Sequence, residues 1–415
     1  MTIQRAANWE AELLTEGLSD RAVRAGAVYT GPGSGGVLQG GDRIELTGGV
    51  PDPVCLPIAD LIVASESVLR NEGADALQYG GAQGFIGLRA WLADHWSKID
   101  RLPLGPENFE LTSGSAHALV HVCESFLDPG ETVIVEAASF PGSIRAIRSL
   151  GVTIESAAID ADGLVPESLE AKLLELRRQG RRAKLLYTIP TYHNPTGSTL
   201  TLDRRHRVLD LCEEHDVLIL EDDAYGEIGF TSVIPPSLYS LARGRGVIKI
   251  GTFSKIIATG LRVGWCQASQ PVIDALLATR FEMGMSPFIL RTIARYAEDG
   301  RLDDHIAELC RFYGRKRDLM ENELQERCSP FLSWHQPAGG FFLWLTLNAN
   351  VDPDLLWTAA QEEGVAHVAG RRFFAEPRDD GPNYIRLAYS NVSEELIPEG
   401  IRRLSRALER SAREE

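Results

Sequence analysis

Lys255 lies in the run Gly251-Thr252-Phe253-Ser254-Lys255-Ile256-Ile257-Ala258-Thr259-Gly260-Leu261-Arg262, where one amine stands among small hydroxyls, apolar residues and two glycines. This is the setting that a lysine forming a Schiff base needs. Small residues leave room for a flat cofactor, the hydroxyls and Arg262 can hold a phosphate, and apolar neighbours limit water. A lone Ser-Lys pair would more often be a surface lysine beside a turn. The flanking pattern and three further motifs weigh against that plainer reading.

The second motif, Pro190-Thr191-Tyr192-His193-Asn194-Pro195-Thr196-Gly197, follows an apolar run, where its Pro and Gly would make a turn in any case. The third, Glu221-Asp222-Asp223-Ala224-Tyr225, puts acids at a strand end, a common place for solvated loop residues. On an extended segment Asp223 points away from the face that Asp222 presents. Leu111-Thr112-Ser113-Gly114-Ser115-Ala116-His117-Ala118 sets hydroxyls before a helical stretch. Free backbone N–H groups and the helix dipole would meet an anion there, although the same pattern also serves as an N-cap. Arg386 sits inside the apolar run Tyr384–Ser390, which is costly unless the charge is paired. It therefore predicts an anionic partner, either a ligand or a buried Asp or Glu.

The elements that position these residues follow from the hydrophobic pattern. From about residue 60 to 300, short β-branched runs alternate with helical patterns, and 132–136, 184–189, 217–221 and 247–251 read as buried strands. The polar residues Ser139, Asn194, Asp222 and Lys255 follow them, at the ends where an open, mostly parallel α/β sheet binds ligands. After about residue 300 the texture changes. A charged helix over 302–327, a strand near 339–345, a helix over 352–363, a strand pair around 365–368 and 384–389, and a closing helix predict a smaller α+β unit. Residues 8–26 read as helical, and the glycine-rich stretch 31–41 lacks the Lys-Ser/Thr ending of a Walker phosphate loop.

At 415 residues the chain exceeds the roughly 250–300 at which one core stops growing, so two domains are expected. Hydrophobic content of 44% and charged content of 24% describe a globular protein. The net charge of −16 argues against sequence-independent nucleic-acid binding and makes any phosphate site a local positive island. Six scattered cysteines form no C-x-x-C and no zinc spacing, which predicts free thiols. No signal-like or membrane-spanning stretch stands out, so a cytoplasmic location without membrane partners is expected.

Together these motifs resemble the fold-type I enzymes that use pyridoxal 5′-phosphate (PLP), in the aminotransferase class I/II family, over about residues 46–405. The resemblance is to the branch of 2-aminoadipate and kynurenine aminotransferases and PLP-containing regulator effector domains. It implies a mostly parallel seven-stranded sheet in a large PLP-binding domain (49–300). A small α+β domain (301–415) is joined by the N-terminal segment (1–48). By resemblance Lys255 carries the cofactor, Asp222 faces the pyridine nitrogen, and Asn194 and Tyr225 meet the phenolic oxygen. Ser115, the Ala116 backbone, Thr252 and Arg262 hold the phosphate, and Phe140 stacks on the ring. Tyr79 reaches across a homodimer interface to the partner's phosphate, Arg386 grips the substrate carboxylate, and the Gly49-Val50-Pro51-Asp52-Pro53 loop lies beside the substrate. No metal is implied.

The expected activity is ping-pong transamination between an α-amino acid and a 2-oxo acid. Decarboxylation, elimination or oxidation of an amino acid on the same cofactor remains an alternative, because the sequence does not show which Cα bond is broken. A ligand-sensing module is a further alternative, which the short, weakly basic stretch before Gly49 disfavours. Several positions depart from the family pattern. Ala116 and His117 replace glutamines, Phe140 replaces a tyrosine, and Arg371-Arg372 stand where small residues are usual. One of these arginines either meets an acidic side chain or a phosphate on the substrate, or forms a solvent-facing salt bridge.

Overall fold

The computed structural model describes residues 18–26, 42–231, 235–376 and 383–412. Seven strands, Phe109–Thr112 (β1), Thr132–Glu136 (β2), Thr153–Ala157 (β3), Ala183–Thr188 (β4), Leu218–Asp222 (β5), Val247–Thr252 (β6) and Gly264–Gln267 (β7), form one sheet. Their order is β1-β7-β6-β5-β4-β2-β3. Strands β2 to β6 pair parallel, and β7 runs antiparallel to both its neighbours. Two reversals restore direction, so β1 points the same way as the parallel set. The C-terminal ends of β1, β4, β5 and β6 therefore open on one edge.

Helices cover both faces, which is why the strands read as unbroken apolar runs. Val133, Val135, Leu185, Tyr187 and Leu220 pack with Leu119, Val122, Ile144, Ile147 and Ile273 on one side. Their neighbours Ile134, Leu186 and Ile219 pack with Leu169, Leu173, Val208 and Leu211 on the other. The two-residue alternation of a strand thus divides each run between two cores.

A second sheet, of Leu332–Ser333 (β8), Phe342–Leu347 (β9), Val368–Ala369 (β10) and Tyr384–Ala388 (β11), is antiparallel in the order β8-β9-β11-β10. The expected pair of 365–368 with 384–389 needs correction. Only Val368–Ala369 joins β11, whereas Val365–Ala366, on the other side of the buried His367, pairs parallel with Ile44–Glu45. Of the N-terminal segment, Ile44–Glu45 thus lies with the second sheet. The helix Asp20–Gly26 instead lies against Pro141–Ser149 on the large sheet, where Arg24 Nε donates to the Ser149 carbonyl at 3.2 Å. The remainder of the expected helix over 8–26 and the stretch 31–41 lie outside the described residues. Among the described residues no helix is long and apolar enough to cross a membrane, and all six cysteines are free.

Candidate active site

Gly264 is the hinge of the site's floor. It pairs with Thr112 of β1 on one side and with Thr252 of β6 on the other. A Cβ there would lie 2.6 Å from the Gly114 carbonyl carbon and 2.7 Å from the Ser115 amide nitrogen. Only glycine lets the turn after β1 close over β7. Helix Ser115–Phe126 starts from that turn with no side-chain cap, so its first amides are available to an anion. Arg262, held in the left-handed region at φ 53°, donates from Nη2 to the Ser113 carbonyl at 3.2 Å. The Thr252 hydroxyl is buried between the Val263 carbonyl at 3.1 Å and Ser254 Oγ at 2.9 Å. Ser115, Ala116, Thr252 and Arg262 are thereby gathered at the ends of β1 and β6.

Lys255, three residues past β6, is half-buried, and its Nζ donates to the Gly49 carbonyl at 2.8 Å. The amine also stands 5.6 Å from the centre of the Tyr225 ring. Burial, then the Arg386 and Arg262 cations, lower its pKa to about 8, with Asp222 opposing. Gly49 is sterically required, because a Cβ would fall 2.5 Å from Phe342 Cζ.

Asp222 is the last residue of β5. Its Oδ2 accepts from the Tyr187 hydroxyl at 2.7 Å, while Oδ1 is buried with no hydrogen-bond partner among the described residues. Burial raises this carboxyl to about 6, against the lowering influence of the Tyr187 hydrogen bond. Asp223 points away from it, as its place on the strand predicts, and pairs with the fully buried Lys249 at 3.0 Å. Tyr225 is buried edge-on against Phe341 and Phe342. Its phenol is held above the ordinary tyrosine value, chiefly by burial, with Asn194 as a hydrogen-bonding neighbour that opposes the shift.

Arg386, at the middle of β11, lies over the Phe342 ring at 4.1 Å and the Phe373 ring at 4.9 Å. Nη1 donates to Asn194 Oδ1 at 2.9 Å and Nη2 to the Thr47 carbonyl at 2.8 Å. Nε is buried with no hydrogen-bond partner among the described residues. Among the described residues no carboxylate pairs with it, and burial lowers its pKa to about 10. A buried Asp or Glu, the structural alternative in the sequence, is therefore not what holds this charge. An unneutralised guanidinium between two aromatic faces could receive an anion.

Phe140, just past β2, is 40% exposed and free to cover a ligand. Tyr79 is not packed into this chain's site. It lies 82% exposed in the loop between helices Ile58–Ala76 and Ile86–Asp100. Arg371 forms a solvent-facing ion pair with Asp354 at 2.5 Å. Two partners were missed in the sequence: Tyr187, which reads there only as a strand residue, and the Thr47 carbonyl, whose backbone carries no side-chain signal.

A half-buried lysine, an acid with one oxygen unpartnered among the described residues, and a cluster of anion donors on the C-terminal edge of such a sheet fit a PLP-dependent enzyme of fold type I. The chain belongs to the aminotransferase class I and II family, whose model matches residues 52–404. It is 34% identical over 374 residues to an aromatic-amino-acid aminotransferase of Thermococcus litoralis, covering 90% of this chain and 89% of the relative. The multiple substrate aminotransferase of Thermococcus profundus superposes with a TM-score of 0.88 at 34% identity, over 95% of this chain and 98% of that one. The α-aminoadipate aminotransferase of Thermus thermophilus, solved with N-(5′-phosphopyridoxyl)-L-leucine, gives 0.85 at 31% identity, over 95% and 98%. The protein is an amino-acid aminotransferase.

Proposed function

We propose that the chain binds pyridoxal 5′-phosphate covalently through Lys255 and passes the amino group of an α-amino acid to a 2-oxo acid in two half-reactions. What carries the reading is the juxtaposition of a lysine lowered to about 8, an acid with a buried unpartnered oxygen, and an arginine with no carboxylate. This donor set fits a flat, phosphorylated aldehyde. When bound, that group supplies an electron sink for the pair left by a broken Cα bond.

The chain's own residues do the rest. Ser115, the Ala116 amide, Thr252 and Arg262 would hold the phosphate, Phe140 would cover the ring, and Asn194 and Tyr225 would meet its oxygen. Asp222 Oδ1 would face the ring nitrogen and favour its protonated form. Arg386 would take the substrate carboxylate and so aim the Cα–H bond at Lys255. With its amine near neutrality, Lys255 can accept the Cα proton and return it to the other side of the transfer. The Gly49 carbonyl gives the free amine a hydrogen-bonded position at 2.8 Å.

Residues 49–300 serve in this reading as the cofactor domain and 301–415 as the smaller one, with part of 1–48 added to it. The site is completed in a homodimer by the partner's Tyr79. Support comes from the exposed apolar residues about that loop, where Leu77, Ile86, Phe281 and Met283 stand open to solvent. Free cysteines throughout agree with a reducing, cytoplasmic setting.

Borohydride reduction followed by peptide mass analysis tests the cofactor assignment: a pyridoxyl mass on the Lys255 peptide is expected, and its absence overturns it. Product analysis tests the reaction, since transfer requires a 2-oxo acid acceptor for sustained turnover and releases neither CO2 nor ammonia.

A further inference from the structure

Tyr187 lies on β4, wholly buried, with its ring on the helix-covered face behind the site. Its hydroxyl makes two contacts: it donates to Asp222 Oδ2 at 2.7 Å, and it lies 2.9 Å from Ser143 Oγ. A phenol has a single proton. If that proton goes to the carboxylate, Ser143 must donate to Tyr187, and the pair becomes a directed chain, Ser143 to Tyr187 to Asp222. The chain occupies one oxygen of Asp222 from behind and leaves the other, Oδ1, unpartnered.

This arrangement bears on the charge of Asp222. The groups that face the carboxyl are Asp223 and the Ala224 amide on its own segment, Glu136 on β2, Tyr187 on β4, Tyr225, and Lys255. Burial, Asp223 and Glu136 work against ionisation, while the Tyr187 hydroxyl and, less strongly, the Ala224 amide work for it. The Tyr187 phenol is itself pushed well above its ordinary value by burial and by Asp222, so it stays a neutral donor throughout the working range.

We infer that Tyr187, oriented by Ser143, is a positioning residue that keeps Asp222 ionised and turns its free oxygen toward the ring nitrogen of the cofactor. The inference rests on the PLP reading above. The plainer role is structural, since any buried tyrosine needs an acceptor for its hydroxyl, and the test must separate the two.

Tyr187→Phe removes the hydroxyl alone, and with it both the donor to Asp222 and the acceptor of Ser143. In holoenzyme carrying cofactor labelled with 15N in the ring, the ring-nitrogen signal of Tyr187→Phe shifts toward the unprotonated form at pH 7–8. Its kcat falls by about ten- to a hundredfold, the loss expected for a hydrogen bond to a charged group. KM for the amino acid stays within about twofold, because Arg386 is untouched. In an Asp222→Ala background, adding Tyr187→Phe changes neither the signal nor kcat further. Ser143→Ala moves the ring signal the same way by a smaller amount, and it carries the test if Tyr187→Phe does not fold.

A wild-type ring signal in Tyr187→Phe overturns the inference. So does an equal loss of kcat with and without Asp222, which would mark a structural role. In the fallback case, an unmoved signal in Ser143→Ala overturns it as well. Failure of the PLP reading looks different: the wild-type protein would then take up no cofactor and give no ring signal at all.

Discussion

Lys249 and Lys255 stand on one short stretch of chain, the first within β6 and the second just past its end. Lys249 is fully buried, 3.0 Å from Asp223, 3.6 Å from Asp100 and 3.3 Å above the Trp96 ring. Asp100, Asp223 and Glu221 outweigh the cost of burial and hold its amine above the usual lysine value. Lys255 has cations for company, Arg386 and Arg262, and only Asp222 on the other side. Burial and like charge act together there, and the amine falls to about 8. A buried lysine among carboxylates holds a fold together, whereas one among arginines is prepared for chemistry.

The strongest break of this comparison exchanges the consequences of the two residues. Lys255→Ala should leave folding intact, abolish covalent cofactor attachment and lower turnover by at least about a hundredfold, the minimum expected from lost acid–base catalysis. Lys249→Met should do the reverse. It leaves Asp100 and Asp223 buried without a cation and should cost about 3–5 kcal/mol, read from the denaturant midpoint. The folded fraction should still reduce to a pyridoxyl-Lys255 peptide. A Lys249→Met protein of wild-type stability would contradict the distinction.

Arg386 sharpens it from the substrate side. Arg386→Ala should raise KM for α-amino acids by about ten- to a hundredfold, from the loss of charge-assisted hydrogen bonds to a carboxylate. KM for simple amines should change far less. An equal rise for both classes would mean that Arg386 only supports Asn194 and the Thr47 carbonyl, which it also bonds.

The same charge acts on Lys255 through pH. The neutral amine is the nucleophile and the protonated one is inert, so capture of the cofactor by apoenzyme should speed up as pH rises through about 8. Removing the Arg386 cation by Arg386→Gln relieves a lowering influence and should move that midpoint upward. Burial, the larger cause, remains. Stopped-flow rates across pH check this, and an unmoved midpoint would leave burial as the whole explanation.

The sequence made the reactive half of the comparison legible and hid the structural half. Lys255, Asp222, Asn194 and Arg386 each sit in a run whose composition marks a strand end or a buried position. Each run alone also had a plain structural reading, and only together did they resemble one family, whose model matches residues 52–404. The hydrogen bonds that hold them in place come from far along the chain: Tyr187 is 35 residues from Asp222, Gly49 is 206 from Lys255, and Thr47 is 339 from Arg386. Two of those three use a backbone carbonyl, which every residue type possesses. The split of 365–369 between two sheets was hidden for a similar reason, since Ile44–Glu45 competes for the first half from the other end of the chain. Lys249 lies in a run that reads as a buried strand, but nothing in that run names Asp100, Asp223 or Trp96 as the partners of its charge.

Arg371 is the smallest case, and it sets a lower limit for the comparison. A cation after a glycine, in a family where small residues are usual, offered a second receptor for acidic substrates. Its guanidinium is instead half exposed and bonded to Asp354, which is 78% exposed. Neither group is desolvated, so the pair resembles neither Lys249 nor Arg386. Arg371→Ala should change stability by less than about 1 kcal/mol and leave KM for acidic and neutral amino acids in the same ratio. A selective rise in KM for acidic substrates would mean that Arg371 leaves Asp354 for a substrate carboxylate. The contrast between an exposed pair that contributes little and a desolvated charge that must find a partner would then fail at Arg371.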